Sequence, residues 1–145
     1  MIKKFLDLTG YTTETRKNRR KGAKSTQEFF TPYEIVKKMA DKIPEEYWSD
    51  PTKTFCEPCF GNGQFVLYII WNRIQHGIDW ETALRTTYGV ELMQDNVHET
   101  YNRICNMLMN MNIYFDNELA LDIMHKNLVC SDFFKWDFEN WCYKE

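Results

Sequence analysis

Apolar and polar residues alternate along the chain in blocks that predict helices and short strands in turn. Apolar side chains recur at helical spacing over residues 31–43, where Thr31 is a candidate N-cap and Glu34 completes a capping box. Residues 44–53 are mostly polar and predict a connector, and residues 52–57 predict a short first strand. This part of the chain therefore predicts a helix, a connector and a strand, in that order.

The rest of the chain repeats a rhythm of strand and helix. A segment with two glycines follows the first strand, and the apolar residues after it predict a buried helix over 64–75. The further predicted elements are a helical turn at 79–85, a buried strand at 86–92, an amphipathic helix at 95–111, a helical piece ending at 124 and a third strand at 127–130. Strands that alternate with helices predict an α/β fold with a parallel sheet covered on both faces.

Three acidic residues stand at or just after the predicted strand ends, namely Glu57, Glu91 and Asp132. Parallel α/β sheets bind ligands at the carboxyl ends of their strands. After the first strand, Gly61 and Gly63 permit a tight turn and let the backbone approach a ligand where a helix begins. A lone G-x-G is weak evidence, but its combination with an acidic residue at each strand end is the set that a nucleoside-containing cofactor needs.

In such a site each acidic residue has a distinct expected role. Glu91 would accept hydrogen bonds from both ribose hydroxyls, as the acidic residue after the second strand does in nucleotide-binding βαβ folds. Asp132 would accept from the exocyclic amine of adenine, while Phe133 or Leu92 packs against the ring. The alternative interpretation is that Glu91 and Asp132 only cap helices or face solvent.

The charge of the chain is distributed unevenly. Residues 1–24 hold eight Lys or Arg against two Asp or Glu, which leaves ten against nineteen in residues 25–145, for a net charge of -3. We expect residues 1–24 to be a flexible basic arm that neutralises DNA phosphates, and the alternative is a solvated tail without a partner. The candidate DNA-binding residues are Arg16, Lys17, Arg19, Arg20, Lys21 and Lys24.

Composition predicts a single globular domain over residues 25–145, because 43% of the residues are hydrophobic and 16% aromatic. No apolar run is long enough to cross a bilayer, so we expect a soluble cytoplasmic protein without a membrane partner. The five cysteines have no framework spacing and predict free thiols. Cys56 and Cys59 form a C-x-x-C whose redox or zinc interpretation is the weaker one, and we expect no metal.

Four segments carry a resemblance to a known family, and it covers residues 25 to about 138. They are Gln27-Glu28-Phe29-Phe30-Thr31-Pro32, Glu57-Pro58-Cys59-Phe60-Gly61-Asn62-Gly63-Gln64-Phe65, Gly89-Val90-Glu91 and Ser131-Asp132-Phe133-Phe134. In this order they resemble the Q-x-F-T-P segment, the D-P-x-x-G-x-G-x-F loop, and the ribose and adenine motifs of adenine-N6 DNA methyltransferases. Glu57 stands where that family more often has aspartate, which keeps the charge.

The resemblance implies a Rossmann-like, S-adenosyl-L-methionine-dependent methyltransferase fold and that compound as cofactor. It implies that the chain is the cofactor-binding part of a DNA adenine-N6 methyltransferase. The cofactor contacts that it implies are Phe30, Thr31, Pro32, Glu57, Pro58, Gly61, Gly63, Phe65, Glu91, Leu92, Asp132 and Phe133.

The catalytic loop of that family is missing from this sequence. No N-P-P-Y or D-P-P-Y occurs, since none of the four prolines neighbours another, so we assign no catalytic residue. The fold is therefore expected to be truncated after the third strand, with the edge at residues 54–57 unpaired. The aromatic tail at residues 136–143 would cover this edge, together with a second chain or a second copy of this one.

Two functions remain open on these grounds. In the first, the chain binds cofactor and DNA, is inactive alone, and needs a partner to supply the target-base loop. In the second, it is a non-catalytic module that keeps the methyltransferase fold and binds DNA or a protein.

Overall fold

The computed structural model describes residues 2–9 and 31–145, and all structural statements concern those residues. The α-helices of this part are α1 (Ile2–Thr9), α2 (Tyr33–Ala40), α3 (Glu45–Ser49), α4 (Gln64–Gln75), α5 (Trp80–Arg85), α6 (Gln94–Asn110) and α7 (Asn117–Asn127). The strands are β1 (Phe55–Glu57), β2 (Thr87–Glu91), β3 (Leu128–Cys130), β4 (Trp136–Asp137) and β5 (Cys142–Tyr143). A 3-10 turn, Phe133–Lys135, precedes β4.

The central sheet is parallel and has the strand order β1, β2, β3. Phe55 of β1 lies opposite Thr87 of β2, and Glu91 at the end of β2 lies opposite Cys130 of β3. Helices connect each strand to the next. The predicted α/β class with a parallel sheet is therefore confirmed, and the predicted helices at 64–75 and 95–111 are found within one residue of their expected ends.

The main core lies between the helices and one face of the sheet. Phe55, Thr87 and Leu128 point to this face and are buried against the helices. Helix α4 is buried almost all round because its residues from Val66 to Trp71 are nearly all apolar. Burying a side chain such as Leu or Ile contributes about 1.5–3 kcal/mol, so the buried residues of α4 stabilise the domain.

The sequence predicted helices on both faces of the sheet, but the described helices pack on one face. The connections β1 to β2 and β2 to β3 run in the same direction across the sheet, and right-handed crossovers then place their helices on the same face. On the opposite face Cys56 is exposed, whereas the Tyr88 ring packs at 4.9 Å, edge to face, against Trp141 of the C-terminal hairpin. As far as residues 2–9 and 31–145 show, the second face is thus covered by the hairpin near β2 and is open at β1.

The hairpin β4–β5 corrects the expected position of the aromatic tail. The Trp141 Nε1 donates to the Lys126 carbonyl at 2.7 Å, and the Tyr143 hydroxyl donates to the Cys130 carbonyl at 3.0 Å. Both acceptors lie at the β3 side of the sheet. The tail therefore packs on the second face at β2 and β3, away from residues 54–57, because its contacts are with Tyr88, the end of α7 and β3.

The segment before β1 also differs from its prediction. Thr31 does not cap α2, because the amides of Ile35 and Val36 bond to the Pro32 carbonyl, which makes Pro32 the N-cap. The predicted polar connector contains α3, whose Trp48 is buried and stacks on Phe55 with ring centroids 5.1 Å apart. The missed signal was a single aromatic residue in an otherwise polar stretch.

Helix α1 changes the expected picture of the N-terminal arm. Phe5 is buried and its ring lies 5.3–5.5 Å from those of Tyr33, Tyr68 and Trp71. The Asn110 Nδ2 also donates to the Leu8 carbonyl at 3.0 Å. The first residues of the arm are thus packed on the domain, while its six candidate DNA-binding cations lie outside the described residues.

Candidate functional site

The glycine loop lies between β1 and α4 and is held by backbone hydrogen bonds. Gly61 and Gly63 have φ values of 56° and 95°, the left-handed region that favours glycine. The Gly63 amide donates to the Phe60 carbonyl at 2.9 Å, and the Phe60 amide donates to the Val90 carbonyl of β2 at 3.1 Å. The loop is therefore a tight turn anchored to the neighbouring strand, as the G-x-G spacing predicts.

Gly63 also has a packing role that the sequence did not indicate. A Cβ atom at this position would lie 2.7 Å from Cγ2 of Thr100 on α6. Similarly, a Cβ at Gly89 would lie 2.6 Å from the Phe60 ring. Both glycines let the loop pack closely against its neighbours, so part of the glycine requirement comes from packing within the protein.

A small cleft opens at the glycine loop and brings together several of the predicted cofactor residues. Its volume is about 50 Å³. Its walls are formed by Thr31, Glu57, Cys59, Phe60, Gly61, Asn62, Gln64 and Phe65. Four of these were predicted from the sequence, namely Thr31, Glu57, Gly61 and Phe65. The cleft alone is smaller than the roughly 300–1,000 Å³ of typical ligand pockets.

Glu57 lies at the end of β1 and is half-buried. Burial raises the pKa of Glu57 above its ordinary value, and the hydrogen bond from the Cys59 amide opposes that rise. This amide lies 3.2 Å from the Glu57 Oε1. A desolvated carboxylate with one backbone donor favours a cationic or hydrogen-bond-donating ligand in the cleft.

Glu91 ends β2 beside the glycine loop, where the sequence predicted an acidic residue. Its Oε2 accepts a hydrogen bond from the Asn96 Nδ2 of α6, and its backbone carbonyl accepts from the Ser131 amide at 3.0 Å. The negative charge of Glu91 contributes to raising the pKa of Cys59, after burial and Glu57. Glu91 and Glu57 therefore both lie near Cys59, at the carboxyl ends of neighbouring strands.

The remaining predicted residues lie apart from the cleft walls. Asp132 Oδ1 accepts from the Phe134 amide at 2.9 Å and so caps the 3-10 turn, which was one of its two expected roles. Leu92 and Phe133 are exposed at the ends of β2 and β3, with the Phe133 ring 5.1 Å from that of Phe138. Pro32 and Pro58 are exposed as well. Phe30 lies outside the described residues.

A polar stripe on α6 is the feature that the sequence interpretation missed. Asn96, Thr100 and Arg103 recur at intervals of four and three residues and therefore share one helical face. The Arg103 Nη1 donates to the Asn62 carbonyl at 2.9 Å and to the Gln64 Oε1 at 2.8 Å. This spacing is visible in the sequence, but the prediction of this helix rested on its apolar face.

The two thiols of the C-x-x-C pair, Cys56 and Cys59, have raised pKa values, which does not suit a redox centre. Burial raises the pKa of Cys56 and of Cys59, and the Glu57 carboxylate raises both further. A reactive thiol needs a lowered pKa.

Within residues 2–9 and 31–145, no three His, Cys, Asp or Glu side chains are grouped as metal ligands would be. No helix of the same ranges has the length and apolar content to cross a membrane.

Comparison with known proteins gives one result that concerns most of the chain. No curated protein and no solved structure matches it. The family model of the N-6 DNA methylases, described as "N-6 DNA Methylase", matches residues 10–140. This range includes β1, β2 and β3 with the glycine loop and all the strand-end carboxylates. The match confirms the resemblance to adenine-N6 DNA methyltransferases, and the chain belongs to the N-6 DNA methylase family.

Proposed function

We propose that this chain binds S-adenosyl-L-methionine across the glycine loop and forms the cofactor-binding part of a DNA adenine-N6 methyltransferase. The observation that carries the proposal is the placement of Glu57 and Glu91 at the carboxyl ends of adjacent parallel strands, next to a left-handed glycine loop that is anchored to β2. This is where open α/β sheets bind ligands. Bound cofactor would supply a methyl group activated by its sulfonium.

The chemistry of the donor set fits this cofactor. The Glu91 carboxylate, fixed by Asn96, offers acceptors for two ribose hydroxyls. The desolvated Glu57 carboxylate suits the cationic methionine end, because its charge is poorly compensated by a single amide. In addition, the buried Asn62 Oδ1 in the loop has no donor among the described residues, which leaves an acceptor at the cleft wall. Leu92 and Phe133 offer exposed apolar surface for the adenine ring.

A partner is the second element of the proposal. We propose that the three strands are the front part of a Rossmann-like methyltransferase fold. A separate chain or a second copy would pair with the open edge of the sheet, and the target-base loop would come from a separate chain, because this sequence contains none. Within the described part of the chain, strand β1 lies at the edge of the sheet, and Cys56 on its second face is exposed. An uncovered edge strand is a template for pairing with another strand.

DNA is the other proposed partner. The basic arm would contact DNA phosphates through Arg16, Lys17, Arg19, Arg20, Lys21 and Lys24.

A second candidate function follows from the size of the cleft. A volume of about 50 Å³ accommodates only a fraction of a nucleoside. This favours a module that keeps the methyltransferase fold without binding cofactor and acts by contacting DNA or a protein. Cofactor binding separates the two candidates, because the second predicts none.

The decisive experiment is calorimetric titration of the full chain with S-adenosyl-L-methionine. We expect saturable binding by the wild type and at least about tenfold weaker binding by Glu91→Gln, which keeps the side-chain shape but loses the charged acceptor. Glu81→Gln is the matched control, because Glu81 is on the surface of α5 and pairs only with Arg85 among the described residues. Absence of binding by the wild type, or equal affinities for wild type and Glu91→Gln, would contradict the proposal.

The need for a partner is tested separately. Incubation of the isolated chain with tritiated cofactor and adenine-containing duplex DNA is expected to give no N6-methyladenine, since no loop for a flipped adenine occurs in the sequence. Robust incorporation would show that the chain is active without a partner and would overturn this part of the proposal.

A further inference from the structure

The polar stripe of α6 contacts both halves of the proposed cofactor site without forming a wall of the cleft. At one end, Asn96 donates from its Nδ2 to the Glu91 carboxylate. Seven residues further along the helix, Arg103 donates to the Asn62 carbonyl in the glycine loop and to Gln64 in the first turn of α4. This separation is about 10 Å along the helix axis.

Between these two contacts lies Thr100, which is fully buried against the loop. Its hydroxyl donates to the Asn96 carbonyl at 2.9 Å, and its side chain occupies the space that a Cβ on Gly63 would need. The stripe thus touches Glu91, Gly63 and Asn62 from one rigid helix. Asn96 and Thr100 are buried and Arg103 is partly buried. Buried polar residues on a helix are costly unless their hydrogen bonds are made, so this stripe is not explained by helix stability.

We infer that Asn96, Thr100 and Arg103 are positioning residues that set the distance and orientation between Glu91 and the glycine loop. The inference rests on the proposed function, because these two elements would hold the sugar and the methionine end of the same cofactor. Gly61 and Gly63 have access to many backbone conformations, and ordering them costs entropy. The two hydrogen bonds from the Arg103 Nη1, to Asn62 in the loop and to Gln64 at the start of α4, order the loop before ligand binds, so binding itself does not bear that entropy cost.

Two ligands distinguish positioning from a general effect on folding. S-adenosylhomocysteine spans both halves of the site, whereas adenosine reaches the half formed by Glu91. We expect Arg103→Met, which keeps the aliphatic stem but loses the donors, to weaken S-adenosylhomocysteine about tenfold and to leave adenosine within about twofold. Asn96→Leu is expected to weaken both ligands, and Arg103→Lys to restore part of the loss.

The matched control is Asn110→Ala on the same helix, which removes the contact with Leu8 of α1 and should leave both affinities unchanged. Equal weakening of both ligands by Arg103→Met, or wild-type affinity for S-adenosylhomocysteine, would overturn the inference. If Arg103→Met does not fold, the comparison is made with Arg103→Gln, whose shorter side chain loses the contacts with Asn62 and Gln64 and which is expected to weaken S-adenosylhomocysteine alone.

A readout without ligand separates this inference from the proposed function. In the free protein, the Gly63 amide bonds to the Phe60 carbonyl and is expected to exchange with deuterium at least about tenfold faster in Arg103→Met than in Asn110→Ala. Unchanged exchange would show that Arg103 does not order the loop. Wild-type protein that binds neither ligand would overturn the proposed function, and with it the role of the stripe in binding.

Discussion

Glu57 illustrates how the surroundings of a single side chain define what it can bind. Its carboxylate is drawn into the protein at the end of β1, and burial raises its pKa despite the Cys59 amide. The raised pKa means that ionisation of Glu57 is costly in the free protein. A cation or a strong hydrogen-bond donor placed in the cleft would stabilise the ionised carboxylate, which is the contribution we ascribe to the cofactor.

This environment predicts a pH dependence of cofactor affinity. Binding that needs the Glu57 carboxylate is constant at neutral pH and weakens as the pH falls through the raised pKa of Glu57, because protons then compete with the ligand. Titrations with S-adenosylhomocysteine between about pH 8 and about pH 5 should show this loss in the wild type. Glu57→Gln should bind more weakly at neutral pH with little dependence on pH.

The control for this titration is Glu81→Gln, in which the pH dependence should persist because Glu81 lies on α5, remote from the cleft walls. Circular dichroism at each pH would establish that the protein remains folded. If Glu57→Gln and the wild type lost affinity in parallel, another group would be responsible and Glu57 would not contact the ligand.

At the level of residues, the sequence revealed the carboxylates and glycines but not how they are held. The spacing of Glu57, Gly61 and Glu91 relative to predicted strands was enough to bring them to one edge of the sheet. The supporting contacts from Thr100 and Arg103 depend on how α6 is rotated against the loop. Helix rotation follows from packing of the whole core, which a local pattern does not specify.

At the level of elements, the most strongly patterned segments were predicted best. The apolar run of α4 and the left-handed Gly77, with φ of 92°, defined both ends of that helix. Short elements were predicted poorly, since α3 and β4–β5 depend on partners that are distant in sequence: Trp48 packs on Tyr68 and Trp141 packs on Tyr88. The tail was expected at the β1 edge, because aromatic composition indicates burial but not location.

Arg73 of α4 is an element-level contact that the sequence did not indicate. Its side chain is fully buried, and its Nη2 donates to the Asp50 carbonyl at 2.6 Å while its Nη1 donates to the Lys53 carbonyl at 3.2 Å. The same Nη1 bonds to the Thr86 hydroxyl. Arg73 therefore joins α4 to the segments that lead into β1 and β2, and burial lowers its pKa.

Replacement of Arg73 by leucine should lower the free energy of unfolding by about 2–4 kcal/mol. The reason is that two backbone carbonyls and a hydroxyl would lose their donor inside the protein. Urea denaturation followed by circular dichroism measures the change. Arg85→Leu is the matched control, since Arg85 is exposed and forms an ion pair with Glu81 on the same helix, so its effect should stay below about 1 kcal/mol. Equal effects of the two substitutions would refute the role of Arg73.

For the whole molecule, the relevant feature is the separation of charge between the arm and the domain. Residues 25–145 carry nineteen Asp or Glu against ten Lys or Arg, so this part repels DNA at long range. Residues 1–24 carry an excess of Lys and Arg, so this segment has a net positive charge and attracts DNA. Helix α1 complicates any deletion of the arm, because Phe5 is part of the core and its loss would destabilise the domain.

Charge substitution without deletion is therefore the appropriate test of DNA binding. If all six candidate cations contact phosphates, the logarithm of the binding constant should fall with the logarithm of salt concentration with a slope of about -5. The triple variant Arg19→Gln, Arg20→Gln and Lys21→Gln should reduce that slope by about half and weaken binding equally for unrelated duplex sequences. Fluorescence anisotropy over a salt series measures both. An unchanged slope would contradict this role of the arm. It would mean that residues 25–145 bind the DNA in spite of their net negative charge, which requires a cationic surface outside the arm.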